Sequence, residues 1–258
     1  MKTIIFFDVD NTIYHNQSGT IPEQTKKLIK ELSNNPDVTL GLATGRGLSK
    51  LDIISDVLPF FTYRVLINGS IVYKNDEIIY HFPISTEDIE EALKITTGNE
   101  YNIGMVGMHD EAVNYWDERV EIGMKELRGK SPRVDDQFYK NNPIYQLWMF
   151  GDTEEKILDI AKQMKKFDVY PWHKGGADFI YPHINKAYGI EKVLELEHFD
   201  QMICVGDGAN DIKMIEMADI GIAMGNTRFI ELKEKADHVA PHIELDQLYD
   251  FFKSIHLI

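Results

Sequence analysis

Short apolar runs alternate with amphipathic segments over the first eighty residues of the chain. Residues 4–7 form a short, continuous apolar run, which predicts a strand covered on both faces of a sheet. Two further strands are predicted at residues 38–43 and 65–67, with helices between them over residues 22–34 and 48–58. Strands that alternate with helices in this way indicate a parallel sheet.

The last seventy-five or so residues repeat this alternation. Helices are predicted over residues 186–196, 211–217 and 245–255, and strands over residues 202–205 and 220–223. Both ends of the chain therefore belong to one doubly wound, Rossmann-like α/β domain.

The middle of the chain has a different pattern. A hairpin is predicted around Lys74, Asn75 and Asp76, and Ser85 with Asp88 forms a capping pair for a helix that runs through residue 95. Strand-like runs recur at residues 101–106, 112–116, 145–150 and 178–181. A helix begins at Asp152 with Glu155, and residues 128–142 are typical of a surface loop or an irregular connection. We therefore expect an α+β insertion at residues 82–182 between two core segments, 1–81 and 183–258.

The net charge of the chain limits the classes of ligand that it is expected to bind. The chain has 258 residues, 43% of them hydrophobic, and its 27 basic against 42 acidic residues give a net charge of −15. Such an acidic chain without a basic run is a poor candidate for binding nucleic acid. An anionic substrate would require local positive charge or a bound cation at its site.

Two features of the sequence indicate the cellular compartment: it has one cysteine, and it lacks a long apolar stretch. Cys204 lies alone in an apolar run, which excludes an internal disulfide and suits a reducing environment. The N-terminus lacks signal-peptide features, and no stretch reaches the ~18 apolar residues that span a bilayer. We expect a cytoplasmic protein that binds neither membrane nor nucleic acid, and the sequence leaves open whether it is a monomer or a weak dimer.

Polar residues follow the predicted strands of the core. Asp8 and Asp10 come after the first strand, Thr44 and Arg46 after the second, and Asn68 after the third. The strand at 202–205 is followed by Asp207, Asn210 and Asp211. Lys186 begins the helix that leads into this strand. Because ligands bind beyond the carboxyl ends of parallel strands, we expect these groups to converge at one edge of the sheet.

The aspartates at this edge predict a metal ion. If the chain stays extended after the first strand, Asp8 and Asp10 point to the same side about 6.6 Å apart, and Asp207 approaches from a neighbouring strand. Several carboxylates cannot stay ionised in one small site unless a cation joins them. An all-oxygen ligand set selects a hard ion such as Mg²⁺.

Each of these pieces is weak when taken alone, since an isolated Asp-x-Asp is usually a turn or a helix cap. The Gly206-Asp207-Gly208 sequence does not fit a dinucleotide site, because Asp211 occupies the third glycine position. Neither a P-loop nor a Gly-x-Ser-x-Gly elbow is present. The prediction depends on the occurrence of all the pieces in order, each at a predicted strand end.

That ordered set resembles the motifs of the haloacid dehalogenase superfamily of phosphohydrolases, and specifically of its Cof-type (subclass IIB) branch. Residues 8–12, Asp-Val-Asp-Asn-Thr, are similar to the first motif, Thr44 to the second, Lys186 to the third, and residues 206–211 to the fourth. Asn68-Gly69 and residues 221–226 are also similar to Cof-type segments. The chain departs from the family at Asn11 and Ala187, where glycine is usual, and neither change touches a reacting group.

The resemblance implies an aspartyl-phosphate mechanism. Asp8 would attack phosphorus, and Asp10 would serve as general acid and then as general base. Mg²⁺ would be held by Asp8, the backbone carbonyl of Asp10, and Asp207, with Asp211 as a further ligand or a supporting partner. Groups that contact the phosphoryl group or the substrate are expected to be Thr44, Lys186, Arg46, Asn68 and Asn210. The implied substrate is a small phosphorylated metabolite, such as a sugar phosphate or pyridoxal phosphate, with specificity supplied by the inserted domain.

Two other functions stay open on the sequence. A phosphomutase on the same core would need a longer-lived aspartyl-phosphate, which the sequence does not test. A non-catalytic, phosphate-responsive regulatory module can also combine acidic residues with Thr and Lys. That alternative predicts a single ordinary domain without an insertion, and it gives no role to Asp10.

Overall fold

A computed structural model describes residues 1–98, 100–127 and 130–258, and the chain divides into two compact units. The first unit comprises Met1–Gly45, Leu51–Tyr80 and Lys186–Ile258. The second comprises Arg46–Lys50 and His81–Asn185. The insertion therefore begins near residue 81 and ends near residue 185, and the short segment Arg46–Lys50 groups with it.

The described residues form strands and helices that we number in chain order. The strands are β1 (Thr3–Phe7), β2 (Val38–Ala43), β3 (Tyr63–Leu66), β4 (Ile71–Lys74), β5 (Glu77–His81), β6 (Asn102–Gly107), β7 (Glu111–Val113), β8 (Arg133–Val134), β9 (Ile144–Phe150), β10 (Asp168–His173), β11 (Gly176–Ile180), β12 (Gln201–Gly206), β13 (Ile220–Met224) and β14 (His238–Ala240). The helices are α1 (Glu23–Ser33), α2 (Thr86–Ile95), α3 (Glu118–Leu127), α4 (Glu154–Ala161), α5 (Lys186–Leu194), α6 (Ile212–Met217), α7 (Ile230–Lys235) and α8 (Leu248–Ser254).

The first unit is built on an eight-stranded sheet in the order β14-β13-β12-β1-β2-β3-β4-β5. Strand β1 pairs in parallel with both β12 and β2, and β3 continues the parallel part before the hairpin of β4 and β5. All five residues of β1 are buried, as its continuous apolar run predicts. The carboxyl ends of β1, β2, β3 and β12 therefore lie side by side.

Helices cover this sheet through apolar faces that the sequence pattern predicts. In α1, Leu28, Ile29 and Leu32 are buried at helical spacing, and Pro22 occupies the N-cap position. Helix α5 contributes Ile190 and Val193 to the core cluster. The predicted strands and helices of this unit agree with the structure to within a few residues at their ends, except in one segment.

That segment is residues 48–58, where the predicted α-helix is wrong. The chain there makes three short 3₁₀ turns, at Leu48–Lys50, Asp52–Ile54 and Leu58–Phe60. Leu51, Ile54 and Val57 are buried at intervals of three residues. A three-residue repeat matches the 3₁₀ helix, in which side chains at i and i+3 eclipse, and not the 3.6-residue repeat of an α-helix.

The second unit contains a six-stranded sheet in the order β10-β11-β9-β6-β7-β8, whose pairs are antiparallel apart from the parallel pair β7–β8. The hydroxyl of Ser85 accepts a hydrogen bond from the backbone N–H of Asp88, so the predicted cap of α2 is confirmed. Alternation along β9 places Leu147 and Met149 in one core cluster, with Trp148 and Phe150 on the opposite face.

Three expectations for this unit need correction. Helix α4 is capped by Thr153 rather than begun at Asp152. The expected loop at residues 128–142 contains β8 and a 3₁₀ turn, and Phe138 in it is buried; Arg128 and Gly129 lie outside the described residues. Helix α3 was not expected, because its apolar residues do not share one face: Val120 is buried and Ile122 exposed.

The structure also contains an edge strand that sequence reasoning missed. Strand β10 includes Pro171, which lacks a backbone N–H donor, and it is the last strand of its sheet. Among the described residues, no helix combines the length and the apolar composition that a membrane span requires.

Candidate active site

The loop after β1 turns sharply instead of continuing the strand. The strand ends at Phe7, the backbone N–H of Asp8 donates to the Val205 carbonyl at 2.9 Å, and the carbonyl of Val9 accepts the N–H groups of residues 12–14. Asn11 has φ 53°, in the left-handed region that asparagine tolerates in place of glycine. The chain bends at Val9 and turns after it, and the separation of about 6.6 Å between Asp8 and Asp10 stays a prediction.

Three aspartates from two strand ends form a carboxylate cluster. Asp8 follows β1, and Asp207 and Asp211 follow β12; oxygen atoms of the three lie within 4.8 Å of one another. Asp8 and Asp211 are buried and Asp207 is partly exposed. Asp10 is close enough for its charge to act on Asp8 and Asp207. The adjacency of β1 and β12 thus produces the convergence that the sequence predicts.

Lys186 contacts two carboxylates of this cluster. The Lys186 ammonium, at the first residue of α5, donates hydrogen bonds of 2.6 Å to Oδ1 of Asp8 and 2.6 Å to Oδ1 of Asp211. Its side chain is 1% exposed. Although burial opposes its charge, the carboxylates of Asp211 and Asp8 hold the pKa of Lys186 above the ordinary value. The lysine therefore stays charged at the centre of the site.

Asp211 has both carboxylate oxygens engaged in orienting its neighbours. Its Oδ2 accepts the backbone N–H groups of Asp207 at 2.9 Å and Gly208 at 2.8 Å, and its Oδ1 accepts from Lys186. A Cβ at Gly206 would lie 2.5 Å from Cγ of Asp211, so this close approach requires glycine. The bonding favours a positioning role for Asp211 over that of a direct metal ligand.

The electrostatics leave the cluster short of positive charge. Burial raises the pKa of Asp8 to about 7, with Lys186 opposing the shift and Asp211 and Asp10 adding to it. Burial, and then the charges of Asp8 and Asp211, raise the pKa of Asp207 well above its ordinary value. Among the described residues of this cluster, the carboxylates of Asp8, Asp207 and Asp211 thus meet the single ammonium of Lys186. A divalent cation fits this donor set, because it would restore the balance and prefers oxygen ligands.

A second group of predicted residues forms a chain of contacts after β2, β3 and β12. The Thr44 carbonyl accepts the backbone N–H of Asn68 at 3.0 Å, and Oδ1 of Asn68 accepts Nδ2–H of Asn210 at 2.8 Å. Thr44 and Asn68 are fully buried. Asn68 has φ 52° and ψ 30°, a left-handed conformation that turns the chain at the end of β3.

The loop at Asn68 also packs against α5. A Cβ at Gly189 would lie 2.4 Å from a Val65 methyl group and 2.9 Å from Cα of Gly69, so the helix approaches this loop on a residue without a side chain. Gly189 stands three residues after Lys186 on the same helix. This contact therefore helps to set the position of the lysine.

Arg46 differs from the other predicted site residues, because it does not belong to the first unit. It belongs to the segment that groups with the second unit, it is 5% exposed, and its guanidinium donates to the Lys50 carbonyl at 3.4 Å.

Asn226 is a site residue that the sequence analysis did not single out. Its Nδ2 donates to the Asn11 carbonyl at 2.9 Å and to Oδ2 of Asp207 at 3.3 Å, and its Oδ1 accepts the Ile243 N–H at 3.0 Å. It thereby connects the loop after β1 with a carboxylate after β12. Its place in the Cof-like segment 221–226, at the end of β13, was the signal available in the sequence.

Replacing Asn226 should weaken the binding of a divalent cation to this cluster. Asn226→Ala removes the donor that orients Asp207. We expect the Kd for Mg²⁺, the ion that the sequence predicts here, to rise by about 10- to 100-fold, since partners that orient metal ligands have effects of this size. An exposed Asn34→Ala variant is the control. An unchanged Kd for Mg²⁺ in Asn226→Ala, measured by titration calorimetry, would contradict the positioning role.

The doubly wound core and its carboxylate–lysine cluster define the class of the protein as haloacid dehalogenase-like. A family model for haloacid dehalogenase-like hydrolases matches residues 5–252. The chain belongs to this family.

Relatives support the same assignment. The chain is 32% identical over 258 residues to "Putative phosphatase YkrA" of Bacillus subtilis, with 99% of this chain and 98% of the relative covered. It is 25% identical over 245 residues to the 5-amino-6-(5-phospho-D-ribitylamino)uracil phosphatase YcsE of the same organism, covering 92% of this chain and 88% of the relative.

Solved structures share the whole fold. A hypothetical protein from Geobacillus kaustophilus matches with a TM-score of 0.87 and 26% identity, with complete coverage of both chains. The subclass IIB sugar phosphatase BT4131 matches with a TM-score of 0.88 and 23% identity, again with complete coverage, and this likeness concerns the fold. The predicted family, the Rossmann-like α/β fold class and the identification as a phosphatase-type enzyme are confirmed.

Proposed function

We propose that the protein is a Mg²⁺-dependent phosphomonoester hydrolase that works through an aspartyl-phosphate on Asp8. The observation that carries the proposal is the buried cluster in which Lys186 bonds Asp8 and Asp211 beside Asp207. A carboxylate after β1, a buried cation and an excess of acidic oxygen ligands are the groups that phosphoryl transfer to a protein carboxylate requires.

Asp8 is the proposed nucleophile. A carboxylate oxygen attacks phosphorus, an acyl-phosphate bond forms, and the ester P–O bond breaks. Burial works against the ionised form, with a pKa of about 7, so Lys186 and a bound cation support the reactive carboxylate. The attack divides one difficult displacement into two easier ones.

Asp10 is the proposed general acid and base. It lies in the turn that follows Asp8, and its charge acts on both Asp8 and Asp207. In the first step its carboxyl proton goes to the leaving alkoxide. In the second step its carboxylate takes a proton from the water that attacks phosphorus, which releases phosphate and restores Asp8.

The remaining polar groups are proposed to hold the phosphoryl oxygens. Lys186 supplies a buried positive charge, and Thr44, Asn68 and Asn210 lie along one line of contacts at the neighbouring strand ends. Donors fixed in place before substrate binds stabilise the charge that develops during transfer. Arg46 is proposed as a further substrate contact.

The metal would be held by Asp8, Asp207 and the backbone carbonyl of Asp10, while Asp211 orients Asp207 and Lys186. When bound, Mg²⁺ supplies charge neutralisation at the phosphoryl group. The excess of carboxylates over cations described above supports this assignment.

The substrate is proposed to be a small phosphorylated metabolite, a sugar phosphate or a phosphorylated cofactor such as pyridoxal phosphate. The relative YcsE carries a phosphoribityl substrate in its name, which supports a polyhydroxylated phosphate ester.

Metal removal tests this function. Phosphate release from p-nitrophenyl phosphate should occur with Mg²⁺, fall to background with excess EDTA, and return when Mg²⁺ is added above the chelator. Excess cation restores the charge balance of the cluster, so the loss should be reversible. Turnover that continues unchanged in EDTA would contradict the metal requirement.

A further inference from the structure

The loop at the end of β3 contains a strained residue that the chemistry proposed above does not use. Ile67 has φ 50°, in the left-handed region. This conformation is costly for a residue branched at Cβ, because it brings Cβ close to the following carbonyl oxygen. The Ile67 side chain is fully buried, so the protein maintains this strain in its interior.

Ile67 differs in residue type from the other residues with positive φ. In the part of the chain that the structure describes, the others besides glycine are all Asn, Asp or His, namely Asn11, Asn68, Asn75, Asp246 and His256. These three residue types adopt the left-handed region more readily than the rest. Ile67 therefore lacks the usual reason for a positive φ.

The turn that follows Ile67 does not require this conformation. The Ser70 N–H donates to the Ile67 carbonyl at 3.0 Å, with Asn68 (φ 52°, ψ 30°) and Gly69 (φ 99°) between them. Positive φ at both central residues is typical of a type I′ turn, for which Asn-Gly is a preferred pair. The residue before such a turn is normally extended, so the turn accounts for Asn68 and Gly69 but not for Ile67.

The hydrogen bonds between β2 and β3 indicate what Ile67 does. Ala43 faces Val65 in the parallel ladder, and the Thr44 N–H donates to the Val65 carbonyl at 2.9 Å. In a regular ladder the Thr44 carbonyl would accept the N–H two residues after Val65. It accepts the N–H of Asn68 at 3.0 Å, one residue later. Ile67 is therefore the extra residue of a β-bulge, at a position where a left-handed glycine is common.

This bulge changes the direction of the side chain that follows it. Because side chains alternate along a strand, one inserted residue moves Asn68 to the opposite side of the chain. There Oδ1 of Asn68 accepts Nδ2–H of Asn210 at 2.8 Å, which connects the end of β3 with the loop after β12. Burial of the Ile67 side chain stabilises the loop and offsets the cost of its backbone.

We propose that Ile67 is a positioning residue for the phosphoryl-binding groups: its buried side chain holds a left-handed bulge, and the bulge directs Asn68 towards Asn210. The proposal rests on the hydrolase function above, and all of its contacts lie within the first unit. An apolar residue thus contributes to turnover through two polar neighbours.

The order of two melting temperatures tests the strained conformation. Ile67→Ala and Ile67→Gly remove nearly the same side chain, but glycine adopts a positive φ freely. Ile67→Gly should therefore melt about 2–4 °C above Ile67→Ala. At Ile29, a fully buried residue of α1, the same two substitutions should give the reverse order, because glycine is unfavourable in a helix. A higher melting temperature for Ile67→Ala than for Ile67→Gly would overturn the proposal.

A double-mutant cycle tests the positioning role. We expect Ile67→Ala and Asn210→Ala each to lower kcat/KM for p-nitrophenyl phosphate by about tenfold, the size of one charge-assisted hydrogen bond. The double variant should also lose about tenfold rather than about 100-fold, because both changes break the same line of contacts. Ile67→Val keeps a branched, buried side chain and should retain near-normal activity. Ile29→Ala, an equal truncation, should lower stability and leave kcat/KM unchanged.

Two kinetic results would overturn the positioning role: a near-normal kcat/KM in Ile67→Ala, or a loss in the double variant equal to the product of the two single losses. If Ile67→Ala does not fold, Ile67→Gly takes its place in the cycle, since glycine relieves the strain without holding the bulge. A wild type that does not hydrolyse p-nitrophenyl phosphate with Mg²⁺ would instead overturn the hydrolase function. The order of melting temperatures would still decide whether Ile67 is strained.

Discussion

An Asp8→Asn variant is expected to lose phosphomonoester hydrolysis while keeping its fold. The amide has nearly the same shape as the carboxyl group but cannot form an acyl-phosphate, and Lys186 retains its bond to Asp211. We expect kcat to fall by about 10⁴-fold or more, as for other enzymes that lose their nucleophile. Phosphate release with Mg²⁺, together with trapping of phosphorylated protein, measures the effect.

The control for this variant is Asp37→Asn, an exposed change in the same unit. It should keep the wild-type rate. A near-normal rate in Asp8→Asn would remove Asp8 as the nucleophile.

The same variant has an expected signature in stability. Burial raises the pKa of Asp8 from 3.8 to about 7 in the folded chain, so the folded state holds a proton that the unfolded state releases in that range. Stability of the metal-free wild type should therefore fall as the pH rises between those values. Asparagine does not titrate. In EDTA, Asp8→Asn should gain stability relative to wild type across this window, as melting temperatures at several pH values will show.

An Asp10→Asn variant is expected to slow turnover by about 10²- to 10⁴-fold, the usual contribution of a general acid–base group. The loss should be greatest for alkyl phosphates, whose leaving alkoxides need a proton, and smaller for p-nitrophenyl phosphate, whose leaving group departs as a stable anion. Rates for both kinds of ester, measured in wild type and variant, give the comparison.

Leaving-group dependence separates catalysis from structure here. Equal slowing for alkyl and aryl esters would contradict the acid role of Asp10, because a purely structural defect does not distinguish between leaving groups. Asp135→Asn, which lies outside the proposed site, should slow neither ester.

Sequence reasoning predicted the core well, because continuous apolar runs such as that in β1 and helical faces such as Leu28, Ile29 and Leu32 in α1 carry strong periodic signals. It failed at residues 48–58, where the three-residue spacing of a 3₁₀ segment was interpreted as an α-helix. It also missed α3, α7, β10 and β14, because tertiary packing there overrides weak local patterns.

The proximity of the aspartates in the candidate site was also predictable from the sequence. Parallel strands bring their carboxyl ends to one edge, so the proximity of Asp8 to Asp207 and Asp211 follows from topology. Finer relations were not accessible. No spacing rule specifies the side-chain positions that allow Lys186 to donate hydrogen bonds to both Asp8 and Asp211. The same holds for the backbone N–H groups that Asp211 accepts and for the contacts of Asn226. The grouping of Arg46 with the second unit was equally hidden.

The close contact at Gly189 sets a limit for engineering this enzyme. Glycine inside a helix is a common target for stabilisation, since alanine there usually gains about 1 kcal/mol. In α5 the added methyl group would meet Val65 and Gly69 and displace the helix that carries Lys186. A substitution that stabilises most helices would therefore lower both stability and activity at Gly189, a residue that has no chemistry of its own.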